Sequence, residues 1–216
     1  MLAVIVPATG CTTSRAAERR VDVFAAASLR EAFTAVAAAF ERGHPGVDVR
    51  LSFAGSQVLA AQVRQGAPAD VLATADVASI RGVVAHQVLA HNRLAVVGPG
   101  MRTLADLARP GVRVVLAAPE VPAGRAARAA LQAAGVTVRP VSLEDSVAGV
   151  VTKVRLGEAD AGIAYATDLR DGLPGAPLPG PGTELAVGAV TRGGDAFVAF
   201  VLGPAGQAVL KQHGFT

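Results

Sequence analysis

Short apolar runs alternate with stretches of helical periodicity along almost the whole chain, and that alternation admits few folds. Strand-sized runs stand at residues 21–26, 70–73, 112–117 and 162–166. Between the first two, Leu29, Phe33, Val36, Ala37 and Phe40 recur at helical spacing until Gly43, where His44-Pro45-Gly46 makes a turn. Residues 47–53 alternate Val47, Val49, Leu51 and Phe53 with Asp48, Arg50 and Ser52, a strand with one polar face. Further strands are expected at 93–97, 136–141 and 185–190. Helices are expected from Val58 to Gly66, at 103–107, 123–134 and 147–156, and as a closing pair split by Gly203-Pro204. Residues 173–183 are too rich in Pro and Gly for anything but an irregular loop. The order is that of an α/β protein without internal repeats.

The 216 residues suffice for two lobes. With 51% hydrophobic and 17% charged residues the chain can bury a sizeable core, which excludes disorder for its bulk. Aromatics are only 4%, so Ala and Val must supply most of that core. The net charge of +3 comes without any basic stripe interleaved with aromatics, and no nucleic-acid partner is expected. The runs at 94–97 and 185–190 bracket the middle of the chain and read as two crossing strands of a hinge. The first lobe would then be discontinuous, 21–93 plus 191–216, with 98–184 as the second and a cleft between them as the ligand site.

The N-terminus carries the single cysteine, Cys11, which cannot form an intrachain disulfide. The apolar stretch before it is about half the ~20 residues that span a bilayer, and it suits a signal-peptide core. Ala8-Thr9-Gly10-Cys11 resembles the lipobox of bacterial lipoproteins, in which the cysteine is acylated, although Ala8 stands where Leu is usual. Residues 1–20 therefore read as leader and tether, and the mature chain as a periplasmic protein or cell-membrane lipoprotein. The alternative is a free or buried thiol in a frayed tail.

Catalysis is not expected. No Gly-x-Ser-x-Gly elbow surrounds any serine. His44, His86, His91 and His213 have no partner at a telling spacing, and no Cys/His pattern suits a metal. Asp70, Asp76 and Asp168 stand where capping is the expected role. What remains is a set of helix starts: Ser28 before Leu29, Ser56 before Gln57, Ala123 after Pro122, and Val147 after Ser146. A helix N-terminus has unpaired N–H groups and the positive end of the dipole, so it holds anions without formal charge. Ser28, Ser56 and Tyr165 could add hydroxyl donors. Singly, each serine reads as an N-cap, worth on the order of 1 kcal/mol, and Ala123, Val147 and Tyr165 as packing residues. The set matters more than its members.

Several stretches together resemble the molybdate-binding proteins of ABC transporters. They are Val23-Phe-Ala-Ala-Ala-Ser-Leu29, Phe53-Ala-Gly-Ser-Gln57, Gln65-Gly-Ala-Pro-Ala-Asp70 with Ala75-Asp76, and Asn92-Arg-Leu94. Leu104-Ala-Asp-Leu107, Val121-Pro-Ala-Gly-Arg125, residues 153–165 and residues 207–215 continue the series. The resemblance runs from Val21 to the C-terminus. It implies a type II periplasmic-binding-protein fold with a tetrahedral oxyanion, molybdate or tungstate, in the cleft. By motif, Ser28 and Ser56 fall on the hydroxyl ligands of the first lobe, Ala123 and Val147 on backbone donors of the second, and Tyr165 on a phenolic donor. Ser146 and Asp145 are alternatives to Val147. The resemblance further implies a monomer without cofactor that delivers its anion to a membrane permease. Ala126 departs from the aromatic that relatives often carry there, and residues 77–103 are shorter than usual. Sulfate is an alternative guest, phosphate less so because its proton needs an acceptor, and a serine acyl hydrolase is a remote alternative.

Overall fold

The computed structural model describes residues 19–216, the side chain of Asp171 excepted. Cys11 and the expected leader at 1–18 lie outside these residues. The chain builds two five-stranded sheets, each with its own helices. The first sheet holds β1 (Arg19–Ala26), β2 (Val47–Ala54), β3 (Val71–Thr74), β4 (Gln87–Asn92) and β10 (Thr183–Ala189) in the order β2-β1-β3-β10-β4. The second holds β5 (Leu94–Val97), β6 (Val114–Ala117), β7 (Ser142–Glu144), β8 (Ala161–Tyr165) and β9 (Gly175–Pro177) in the order β7-β6-β8-β5-β9. In each sheet three neighbouring strands run parallel: β1 with β2 and β3, and β6 with β7 and β8. Antiparallel pairs complete one side of each sheet, through β10 and β4 in the first and β5 and β9 in the second.

Helices α1 (Arg30–Gly43), α2 (Ser56–Arg64), the short α3 (Val77–Ile80), α6 (Asp195–Leu202) and α7 (Pro204–Gln212) belong with the first sheet, and α4 (Pro122–Ala133) and α5 (Val147–Arg155) with the second. The amphipathic pattern of α1 lands where its spacing predicts, with Phe33, Val36, Ala37 and Phe40 buried. The core is mostly Ala and Val, but aromatics concentrate at one place. Phe40 packs edge-on against Phe197 and Phe200, at centroid distances of 5.3 and 5.4 Å, and Phe33 lies 6.1 Å from Phe197. These rings fix α1 against α6 and with it the turn at Ser28.

Five readings from the sequence need correction. The predicted strand at 136–141 is irregular, and pairing with β6 starts only at β7. Pro140 interrupts the run and offers no N–H to a ladder. Strand β4 was not expected, because its polar flanks His91 and Asn92 hide a buried Leu89 and Ala90. The loop at 173–183 contains β9, which tolerates its proline as an edge strand. β1 begins at Arg19, inside the expected tether. The segments expected as hinge crossings, 94–97 and 185–190, are strands of the second and the first sheet. The chain passes between the sheets just before each, at Arg93 and between Leu178, which still bonds Leu94 O, and Thr183, which pairs with Asn92.

Candidate functional site: a pocket at the strand ends

In open α/β sheets the carboxyl ends of the parallel strands face the ligand crevice, because loops there lead into helix N-termini. Both sheets follow this rule, and they aim at each other. β1 leads through a 3₁₀ turn, Ala27–Leu29, into α1, and β2 leads through Gly55 into α2. β7 leads into α5, and a loop after β6 leads into α4. The five residues singled out by sequence, Ser28, Ser56, Ala123, Val147 and Tyr165, line one small pocket between the two sheets. No charged residue lines it.

Each contributes differently. Ser56 is buried and its Oγ accepts from Ala75 N–H at 3.0 Å, which leaves the hydroxyl proton as a donor. Ser28 Oγ is buried without a hydrogen-bond partner. Neither serine acts as the expected N-cap: the caps of α1 and α2 are Leu29 and Gly55, without side-chain bonds. Tyr165 is the last residue of β8, 1% exposed, and its hydroxyl has no partner of hydrogen-bond geometry. Burial pushes the Tyr165 phenol well up, Asp76 and Asp168 add to this, and the nearby Thr183 hydroxyl and Arg125 offset only part of it. The phenol is therefore a neutral donor throughout the physiological range. Two buried hydroxyls without partners are costly to keep unless something arrives to accept from them.

The second half adds backbone. Pro122, Ala123 and Gly124 open α4, with Pro at the first position, where a missing N–H costs nothing. A Cβ on Gly124 would stand 2.0 Å from Ala118 O and 2.5 Å from Ala117 O, so glycine lets the helix start sit directly on the end of β6. Ala123 N–H belongs to the unpaired first turn. Val147 opens α5 in the same manner, behind Ser146, whose Oγ caps Gly149 N–H at 3.4 Å. Ser146 also lines the pocket, and, as at Ser56, accepting this bond leaves its hydroxyl proton as a donor, while the Asp145 carbonyl accepts from Gln57 Nε2.

Two polar contacts that sequence reasoning missed join the halves around this pocket. Gln57 Nε2 donates to Asp145 O at 2.8 Å. Arg125 on α4 bonds Asp76, the residue that caps α3, at 2.6 Å, and Ser79 Oγ at 2.9 Å. Only the adjacency of Gln57 to Ser56 and of Arg125 to the Pro-Ala-Gly turn hinted at them. The capping expected of Asp76 and Asp168 is present, Asp168 accepting from Tyr165 N–H at 2.9 Å. His44 and His213 bond only backbone carbonyls of their own helices. Among the described residues no cluster of His, Cys, Asp and Glu could hold a metal, and no single helix is long and apolar enough to cross a membrane.

The profile of one family, described as bacterial extracellular solute-binding protein, matches residues 21–216. The molybdate-binding protein ModA of Mycobacterium tuberculosis is 44% identical over 162 residues, which is 69% of this chain and 62% of that protein. The chain thus spans less than two thirds of that relative's length. ModA of Escherichia coli is 36% identical over 173 residues, 70% of this chain and 67% of that protein. Among solved structures, the periplasmic molybdate-binding protein of Azotobacter vinelandii superposes with a TM-score of 0.75 at 22% identity, covering 91% of this chain and 98% of its own.

Proposed function

The chain belongs to the family of bacterial extracellular solute-binding proteins, and from that premise we propose that it captures molybdate outside the cytoplasm and delivers it to the permease of an ABC importer. The observation that carries this reading is the uncharged pocket in which Ser28, Ser56, Ala123, Val147 and Tyr165 converge. Three hydroxyls and the starts of two helices make a donor-only surface, with Ser28 Oγ and Tyr165 Oη still lacking acceptors. Such a surface suits an anion that carries no proton at neutral pH. Phosphate, which keeps one, would need an acceptor there. The similarity to two molybdate-binding proteins supports the same guest. Tungstate has the same charge and shape and is the natural second ligand.

The role is binding, not catalysis. The serines have no histidine in hydrogen-bonding contact that could activate them, and esterase substrates should not turn over. The two halves, built on the two sheets, form a jaw hinged near Arg93 and residues 178–182, which opens to admit the anion and presents both rims to the permease when shut. Acylation of Cys11 would tether the protein to the membrane surface.

A thermal-shift panel of oxyanions tests the reading. Molybdate should raise the melting temperature in a concentration-dependent way, as mass action requires of a ligand of the folded state. Sulfate and phosphate at equal concentration should do far less. A panel in which sulfate shifts the transition most would reassign the guest, and one without any shift would remove the proposal.

A further inference from the structure

The pocket wall is uncharged, yet a carboxylate stands immediately behind it. Ala75 lines the pocket and holds Ser56 Oγ through its N–H, and the next residue is Asp76. Asp76 is 8% exposed and fixed in place: Oδ1 accepts from Ser79 N–H at 2.9 Å, and its own carbonyl accepts from Thr74 Oγ1 at 2.7 Å. It cannot swing away from the site. After burial itself, Asp76 is the charge that most raises the Tyr165 pKa, and Arg125 acts on that phenol in the opposite sense. Both charges therefore reach the wall of the pocket.

Left alone, Asp76 would repel a doubly charged guest, and repulsion acts strongly where water is scarce. Its counter-charge comes from the other half of the molecule. Arg125 Nη2 and Nε lie 2.6 and 3.0 Å from Asp76 Oδ2, Nη2 also reaches Ser79 Oγ, and Nη1 holds Glu120 O. Arg125 sits two residues beyond Ala123 on the first turns of α4, so its pairing with Asp76 bridges the two halves beside the pocket. The fork geometry suits arginine and could not be reproduced by a point charge.

We propose that Arg125 is a positioning residue for anion capture: by neutralising Asp76 across the cleft, it makes the closed pocket hospitable to a dianion and slows the anion's release. The inference rests on the oxyanion reading of the pocket. In the open form Asp76 faces water unpaired, its charge screened. In the closed form, without Arg125, it would oppose the guest.

The test is molybdate binding by titration calorimetry and stopped-flow release for Arg125→Gln, Asp76→Asn and the double variant. Asn retains the capping acceptor for Ser79, and the Arg125 side chain is 38% exposed, so all three should fold. Arg125→Gln should weaken molybdate binding by at least about tenfold, mostly through faster release. Asp76→Asn should stay within about threefold of the unaltered protein, and the double variant should return to the Asp76→Asn level, because the uncompensated charge is gone. Wild-type affinity in Arg125→Gln would overturn the inference. So would a double variant as weak as Arg125→Gln, which would make Arg125 merely a packing or tethering group. An unaltered protein that binds no oxyanion would take the proposed function down with it, whereas tight wild-type binding with an indifferent Arg125→Gln removes this inference alone.

Discussion

The two halves of the molecule build the same pocket with different chemistry. The first sheet presents side-chain hydroxyls: Ser28 in a 3₁₀ turn and Ser56 at the start of α2, the latter oriented by Ala75 N–H. The second sheet presents main chain, at Ala123 and Val147, with one phenol from Tyr165. A hydroxyl donor disappears with its residue. A backbone donor belongs to the helix start and survives any substitution that keeps the helix in place. The first half should therefore be sensitive to residue identity, the second to backbone placement.

The largest effect should come from a change that affects how the halves meet. A Cβ on Gly55 would stand 2.6 Å from Asp145 O across the cleft. Gly55→Ala should leave each half folded but hold the jaw ajar, weakening molybdate binding by about 30- to 150-fold, or about 2–3 kcal/mol. Calorimetry would give the loss, and solution scattering should find a radius with ligand that no longer shrinks. An unchanged affinity would mean that the close approach at Gly55 is dispensable.

Next come the hydroxyls. Ser28→Ala, Ser56→Ala and Tyr165→Phe should each cost about 5- to 30-fold in affinity, about 1–2 kcal/mol. Tyr165→Phe separates binding from stability. Its hydroxyl is buried without a partner in the free protein, so removing it should raise the melting temperature of the unliganded protein by about 1–3 °C while lowering its affinity. A fall in both would assign Tyr165 to the core instead of the ligand.

The smallest effect on binding should come from the second half. Val147→Ala removes a buried side chain and should cost about 1–3 kcal/mol of stability, yet molybdate affinity should stay within about threefold. A loss as deep as that of Ser56→Ala would erase the distinction between the halves.

The sequence already marked all five residues that line the pocket: four as helix starts after strand-sized runs, a readable local signature, and Tyr165, in a strand, as a further hydroxyl, with their shared role implied by the family resemblance. It marked the α/β order and the buried face of α1 because periodicity is local. It misplaced the strand after residue 135 by missing the force of Pro140, and it overlooked β4, whose short apolar centre is flanked by polar residues and which is held in place by pairing with β10 and with Thr216. It assigned Asp76 to capping alone and gave Arg125 no partner.

What the chain determined by itself is therefore what lies within a few residues: where strands stop, where helices begin, and which hydroxyls stand at those junctions. Only the tertiary structure decided which junctions face one another, that Ser56 is held by Ala75, that Arg125 answers Asp76 from 49 residues away, and that Gln57 meets Asp145 over 88. Such pairings depend on how two sheets close, and no local pattern encodes a distance between segments that come together only on folding.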